Sequence, residues 1–242
     1  MMACIERLAP YQLGIWVAQY IKSTCSICGD SIARAADRFH NSEGIVCTPC
    51  HNDISWFPSP LTIQLDISKC WALDVKLTVQ PISTYENSIA EAMVAFKYNE
   101  NLSALPTLVY ALRQLAKPAG CNAGNSVILP MPTTTKRLKK RGFYPVLILA
   151  HYLSKHWKIP LWDGVIRTDD VHSQRGLSRE ERLVNINNAF TLTKVPPVQR
   201  IILFDDVATT GASLRALAES LLDADHHIDL SAYTIAHGNS QR

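Results

Sequence analysis

Two adjacent acids, a run of small hydroxyl residues and a glycine stand together in Ile201-Ile202-Leu203-Phe204-Asp205-Asp206-Val207-Ala208-Thr209-Thr210-Gly211-Ala212-Ser213. The first part is apolar and β-branched, the pattern of a buried strand. The last part opens a helix that continues to Ala224, with Leu214, Leu217, Leu221 and Leu222 on one side. Open α/β sheets bind ligands at the carboxyl ends of their strands, which is where this segment puts its acids. A loop that turns into a helix offers an anion its backbone N–H groups and the positive end of the helix dipole. Thr209, Thr210 and Ser213 add hydroxyl donors, and Gly211 lets the backbone approach closely. This chemistry suits a monophosphate. The chain has no Gly-x-x-x-x-Gly-Lys-Ser/Thr run, which excludes a nucleoside-triphosphate P-loop. Asp205 and Asp206 would repel an anion unless they bind sugar hydroxyls or act with Mg2+. The plainer alternative is a helix cap with two solvated acids.

A second constellation is Cys25-Ser26-Ile27-Cys28 with Cys47-Thr48-Pro49-Cys50. Two residues between cysteines let both thiolates of a pair reach one ion, and two such pairs complete a tetrahedral shell for Zn2+. A closed shell leaves no position for substrate, so the expected role is structural. A module this small has little core and relies on its metal. The alternatives are free cysteines or a redox pair, with His51 a competitor of Cys50 for the fourth position.

Charge supplies the third. Net charge is only +3, too weak by itself to imply a nucleic-acid partner, yet five of the 24 basic residues fall within Lys136-Arg137-Leu138-Lys139-Lys140-Arg141. Lys136, Lys139, Lys140 and Arg141 suit pyrophosphate or single-stranded DNA, against the alternative of a solvated basic turn. Lys97 either reaches the same pocket or is an exposed helix-end lysine. Phe143 and Tyr144 alone offer stacking surfaces nearby. No His, Cys or Ser has an evident base partner, so no nucleophilic triad is expected.

The elements that must position these groups follow from periodicity. Ser88 with Glu91 suggests a capping box ahead of Ile89, Ala92, Met93 and Phe96. A helix is expected over Ser103–Lys117 with Leu105, Leu108, Leu112 and Leu115 on one face. Ser126–Met131 reads as a buried strand, Pro145–Trp157 as helix, Gly164–Arg167, Arg200–Val207 and Ser231–Ala236 as strands. Residues 25–50 read as a ribbon-like module and 51–84 as a linker followed by one or two strands. Alternating helices and strands predict an α/β fold with a parallel sheet. The expected organisation is a lead-in helix and zinc ribbon over residues 1–60 and the α/β domain over 61–242. Apolar residues make up 47% of 242, which suits a globular chain and excludes a disordered one. Seven cysteines, an odd number with Cys4, Cys70 and Cys121 outside the pairs, argue against a secreted disulfide framework and for a reducing cytoplasm. Leu8–Ile21 is too short to span a bilayer and lacks a following cleavage site, so neither membrane span nor signal peptide is expected.

The Ile201–Ser213 segment resembles the thirteen-residue motif of type I phosphoribosyltransferases. More widely the chain is similar to the ComF family, also called competence protein F or ComFC-like. The similarity rests on the paired cysteines, Phe96-Lys97-Tyr98, Leu129-Pro130-Met131-Pro132, Arg141-Gly142-Phe143, Gln174, Leu177-Ser178, Arg182 and Asn185 to Phe190. The resemblance implies a phosphoribosyltransferase-like sheet that binds phosphoribosyl pyrophosphate. Asp205 and Asp206 would take the ribose hydroxyls, Val207 to Ser213 would cradle the 5′-phosphate, and Mg2+ would bridge ribose and pyrophosphate. It implies a role in DNA uptake during natural transformation, with single-stranded DNA and the uptake machinery as partners. An active phosphoribosyltransferase with an unknown acceptor is the alternative. The segment Asp169–Arg182 would be a loop closing over the ligand. The chain departs from the family at Thr133-Thr134, where Leu-His is usual, and at Tyr144-Pro145, where Asn is common; both lie on the expected pyrophosphate side.

Overall fold

The computed structural model describes residues 24–32, 45–67, 75–168 and 189–238. The expected lead-in helix, Cys4, Cys70, the closing loop Asp169–Arg182 and the motif residues Gln174 to Asn185 lie outside them. The chain divides into two compact units, Met1–Phe57 with Ile82–Ala116, and Pro58–Pro81 with Lys117–Arg242.

The first unit carries α1 (Thr48–Asp53), α2 (Asn87–Tyr98) and α3 (Leu105–Arg113). The first cysteine pair sits in a tight turn: the N–H of Gly29 donates to the Cys25 carbonyl at 3.0 Å, with Gly29 at φ +80°. The second pair begins α1, whose first turn accepts Pro49 because its N–H would have no intrahelical partner there. The N–H of Ser26 donates to the Ile45 carbonyl at 2.8 Å, bringing the two pairs side by side. The ribbon expected over 25–50 therefore ends in a short helix. In α2 the capping box does not form. Glu86 is the first helical acceptor, through the Ala90 N–H, and Asn87 turns the chain in at φ +47°, a region Asn tolerates better than most residues. Ile89, Ala92, Met93 and Phe96 form its buried face as expected.

Helix α3 is buried all round, from Leu105 to Leu112, rather than on one leucine face. It is also shorter than its periodicity suggests. Asn101 accepts from the Ser103 N–H at 3.0 Å and holds Leu102–Ala104 in a 3-10 turn before it, while the helix closes at Arg113 with the Gln114 N–H on the Ala111 carbonyl at 3.0 Å.

The second unit is built on a five-stranded sheet. Its strands are β1 (Leu61–Gln64), β2 (Lys76–Thr84, whose residues 82–84 belong to the first unit), β3 (Ser126–Pro130), β6 (Arg200–Ala208) and β7 (Asp229–His237), in the order β1-β2-β7-β6-β3. β3 pairs parallel with β6 and β6 parallel with β7, while β1 lies antiparallel on β2 at the edge. The mostly parallel α/β sheet is the one predicted. Its central strands show why they read as continuous apolar runs: Ile201, Ile202, Leu203 and Phe204 are buried, as is every residue of β3. Each of those four β6 side chains contributes on the order of 1.5–3 kcal/mol of burial.

Three helices accompany the sheet: α4 (Thr135–Arg141), α5 (Pro145–Trp157) and α6 (Ala212–Ala224). A separate antiparallel pair joins β4 (Val165–Arg167) to β5 (Phe190–Leu192). Among the described residues no helix is long and apolar enough to cross a membrane.

Candidate functional site

The acid pair ends β6. Asp206 is buried and Asp205 half-buried. The Asp206 N–H donates to Oδ1 of Asp205 at 2.8 Å, and the Val207 N–H donates to Oδ1 of Asp206 at 2.7 Å. Each carboxylate is thus tied to the amide that follows it. After Ala208, whose carbonyl accepts from the Gly238 N–H at 2.8 Å, the exposed Thr209 and Thr210 form the loop. Gly211 enters α6 at φ +71°, and the Arg215 N–H returns to its carbonyl at 2.8 Å. A Cβ at Gly211 would lie 2.3 Å from Cδ1 of Ile63 on β1. The Ala212 N–H donates to Thr210 Oγ1 at 3.3 Å, so this hydroxyl stands beside the first amides of a thirteen-residue helix. Ser213 lies in that first turn. Strand, acids, hydroxyl loop, left-handed glycine and helix start follow each other in the order the sequence predicts.

Beside the acid pair lies the end of β3. Thr133, half-buried, follows it, and Thr134 caps α4 by accepting from the Arg137 N–H at 3.2 Å. Gly142 closes α4 at φ +74°, with its N–H on the Leu138 carbonyl at 2.8 Å. The basic cluster is therefore a capped helix rather than a turn, with Lys136, Arg137, Lys139 and Lys140 exposed and no acid among its residues. Lys97 lies in the last turn of α2, in the first unit.

Two further residues meet the acids. Tyr144 precedes Pro145, the first residue of α5, and its hydroxyl donates to the Met131 carbonyl. Burial, reinforced by the charges of Asp205 and Asp206, pushes its phenol well above the ordinary value, so it stays a neutral donor. Arg167 ends β4 with its guanidinium 5.3 Å above the Phe190 ring. Burial and the nearby Arg137 lower its pKa, while Asp205 opposes them. Arg167 carries no local sequence signal, because a lone arginine at the end of a three-residue strand looks like any other. Tyr144 is legible only as a departure from the family pattern.

Tyr144 and Arg167 also line a cavity of about 770 Å³ at the carboxyl end of β3, with walls that include Leu147, Trp162 and Ile166. Gly164 leaves room for Trp162, since a Cβ there would lie 2.1 Å from the indole.

In the first unit, Cys25, Cys28, Cys47 and Cys50 bring their Sγ atoms within 4.8 Å of one another. The Cys28 and Cys47 sulfurs are 3.8 Å apart. Four sulfurs at about 2.3 Å from one Zn2+ have tetrahedral edges of about 3.8 Å, so this donor set fits such an ion. The N–H groups of Ile27 and Cys47 each donate to Cys25 Sγ at 3.4 Å. Burial acts to raise the Cys25 pKa, but the amides of Cys47, Cys28 and Ile27 outweigh it and bring it to about 7. Burial and the neighbouring cysteines push Cys50 far up instead. His51 does not take a ligand position. Its Nδ1 meets the Tyr110 hydroxyl of α3 at 2.8 Å and its ring lies 5.0 Å from that of Trp56. The Thr107 hydroxyl donates to Ser26 Oγ at 3.0 Å, so α3 holds both halves of the cysteine module.

No family model matches the chain. Competence protein F of Haemophilus influenzae is 35% identical over 98 residues, 39% of this chain and 43% of that protein. DNA utilization protein YhgH of Escherichia coli K12 is 34% identical over 97 residues, 39% of this chain and 42% of that protein. Competence protein ComFC of Bacillus subtilis is 31% identical over 109 residues, 45% of this chain and 43% of that protein. The chain thus spans less than half the length of the curated relatives it matches. Among solved structures, a xanthine-guanine-hypoxanthine phosphoribosyltransferase of Helicobacter pylori is similar at TM-score 0.32 and 18% identity, covering 60% of this chain and 87% of that one. Over less than half its length, the chain is thus similar in sequence to the competence protein F and ComFC proteins.

Proposed function

We propose that the β6–α6 segment binds phosphoribosyl pyrophosphate and that the protein serves DNA uptake. The observation that carries the ligand is the acid pair Asp205-Asp206 at the end of β6, followed by a hydroxyl loop that enters α6 through left-handed Gly211. Asp205 and Asp206 would accept from the ribose hydroxyls, and Val207 to Ser213 would wrap the 5′-phosphate. The hard oxygen donors of the acid pair fit Mg2+, which when bound would neutralise the pyrophosphate. Thr133 and the α4 cations would meet that pyrophosphate from the end of β3. The DNA role is supported by the names of the relatives, which speak of competence and DNA utilization. Lys136, Lys139, Lys140 and Arg141 on α4 would contact the backbone of single-stranded DNA. The four cysteines would hold one structural Zn2+, and the protein would work in the cytoplasm.

Calorimetry with phosphoribosyl pyrophosphate and Mg2+ tests the first part. Charge-assisted hydrogen bonds are worth about 1.5–3 kcal/mol, so Asp205→Asn and Asp206→Asn should each weaken binding about tenfold or more. Unchanged affinity in the double variant overturns the assignment. Pyrophosphate release with candidate acceptors separates a binding protein from an active transferase.

A further inference from the structure

We propose that the cavity between β3, α5 and β4 receives a base of single-stranded DNA whose phosphates lie along α4. This rests on the reading of α4 as a DNA contact and adds to it where the bases go.

The basic helix alone presents few stacking surfaces, but the cavity at its foot supplies them. Thr133 and Thr135 line the cavity, and Thr135 is also the first residue of α4. The walls are Leu147, Ile166 and the aromatic Trp162, with Tyr144 and His151 contributing polar atoms. At about 770 Å³ it falls within the roughly 300–1,000 Å³ range of small-molecule sites, with room for a base and its sugar. An apolar, aromatic-lined slot with a few polar groups is what a planar heterocycle requires, because every base has a π-face but differs in its edges.

Charge selects a polyanion over a neutral apolar guest. Lys136, Arg137, Lys139 and Lys140 are exposed just outside. Arg167 brings a positive charge to the cavity wall, near enough to Arg137 for their charges to oppose each other and partly offset by Asp205. Asp163, the acid on the cavity wall, is paired with Lys194 at 2.6 Å, so its charge is offset. His151 is held toward its neutral form by burial and by Lys155, leaving an uncharged imidazole facing the slot.

The test uses the full chain and fluorescence anisotropy at low salt. One probe is an oligothymidylate; the other is an abasic oligomer of equal length and charge. The oligothymidylate is expected to bind about tenfold or more tightly than the abasic oligomer, from the stacking of one base. A 5-iodouracil oligomer should crosslink to Trp162, Tyr144 or His151. Trp162→Leu should reduce the difference between the two oligomers while leaving abasic binding unchanged. Equal affinity for both oligomers overturns the proposal while leaving backbone contact by α4 intact. No binding of either overturns the DNA reading beneath it. An apolar dye that saturates the cavity without displacing bound oligothymidylate assigns the slot to a small apolar ligand and likewise overturns the proposal.

Discussion

Gly211→Ala isolates the contribution of one backbone conformation to the loop. Gly211 enters α6 at φ +71°, where an L-residue with a Cβ pays about 1–2 kcal/mol. The new methyl would also lie 2.3 Å from Ile63 Cδ1. That atom is the far end of a flexible side chain and can rotate away, so the backbone strain should dominate. At this chain size about 2–4 °C of Tm accompanies each kcal/mol, giving an expected drop of about 2–8 °C. On the proposed function, affinity for phosphoribosyl pyrophosphate should fall as well, because relaxing the strain moves the amides that would face a bound phosphate. Ile63→Val removes Cδ1 and separates the two causes. If strain dominates, Gly211→Ala costs nearly as much in the Ile63→Val background. In that background Gly211→Asn should lie between glycine and alanine, since Asn tolerates the left-handed region. Thermal unfolding followed by circular dichroism, with calorimetry for the ligand, reads both effects. A Gly211→Ala protein with unaltered Tm and affinity would refute the reasoning.

The cysteine module should carry one Zn2+ per chain by elemental analysis, with Cys47→Ser losing it and Cys121→Ser keeping it. Because the ligands bind as thiolates, metal affinity should fall as pH drops, measured by competition with a chromophoric chelator. Tyr144→Phe leaves the Met131 carbonyl without its donor and should cost about 1–3 kcal/mol in urea unfolding. The folded-state pKa of Tyr144 is raised, so its contribution is complete below the ordinary tyrosine value and is lost as pH rises above it. The alkaline stability difference between wild type and Tyr144→Phe should therefore shrink upward from about pH 10. Lys139→Gln with Lys140→Gln should flatten the salt dependence of single-stranded DNA binding by about 0.7 per lost phosphate contact, read by anisotropy at several salt concentrations.

The phosphate-binding candidate is legible in the sequence because every part of it is local. An apolar run, two acids, hydroxyl residues and a glycine within thirteen positions leave few other geometries, and the helix that follows has its own leucine period. Helix α5 was equally plain, bounded by Pro145 at its start. The capping box at Ser88 misleads because Asn87, in a left-handed conformation, starts α2 before it. Helix α4 is hidden by its composition: like charges one turn apart, Lys136 with Lys140 and Arg137 with Arg141, oppose helix formation, and only the caps at Thr134 and Gly142 announce it. The cavity is not legible at all. Leu129, Leu147, Trp162 and Arg167 are far apart in the sequence, and only the sheet and α5 collect them.

The path of the chain through its two units decides how the protein can be dissected. The first unit is discontinuous in sequence, formed by Met1–Phe57 and again by Ile82–Ala116. Thr107 and Tyr110 of the later stretch take Ser26 and His51 of the earlier one as hydrogen-bond partners. A fragment begun near residue 60 would keep α3 but strip it of both partners and of the cysteine module it packs on, exposing a helix that is buried from Leu105 to Leu112. A fragment ended near residue 60 would keep the cysteines without the helix that braces them. Neither half is expected to behave as an independent domain. Any attempt to assign one activity to the cysteine module and another to the sheet by truncation would instead report misfolding, so the two are separated more cleanly by point substitutions at Cys47 and at Asp205.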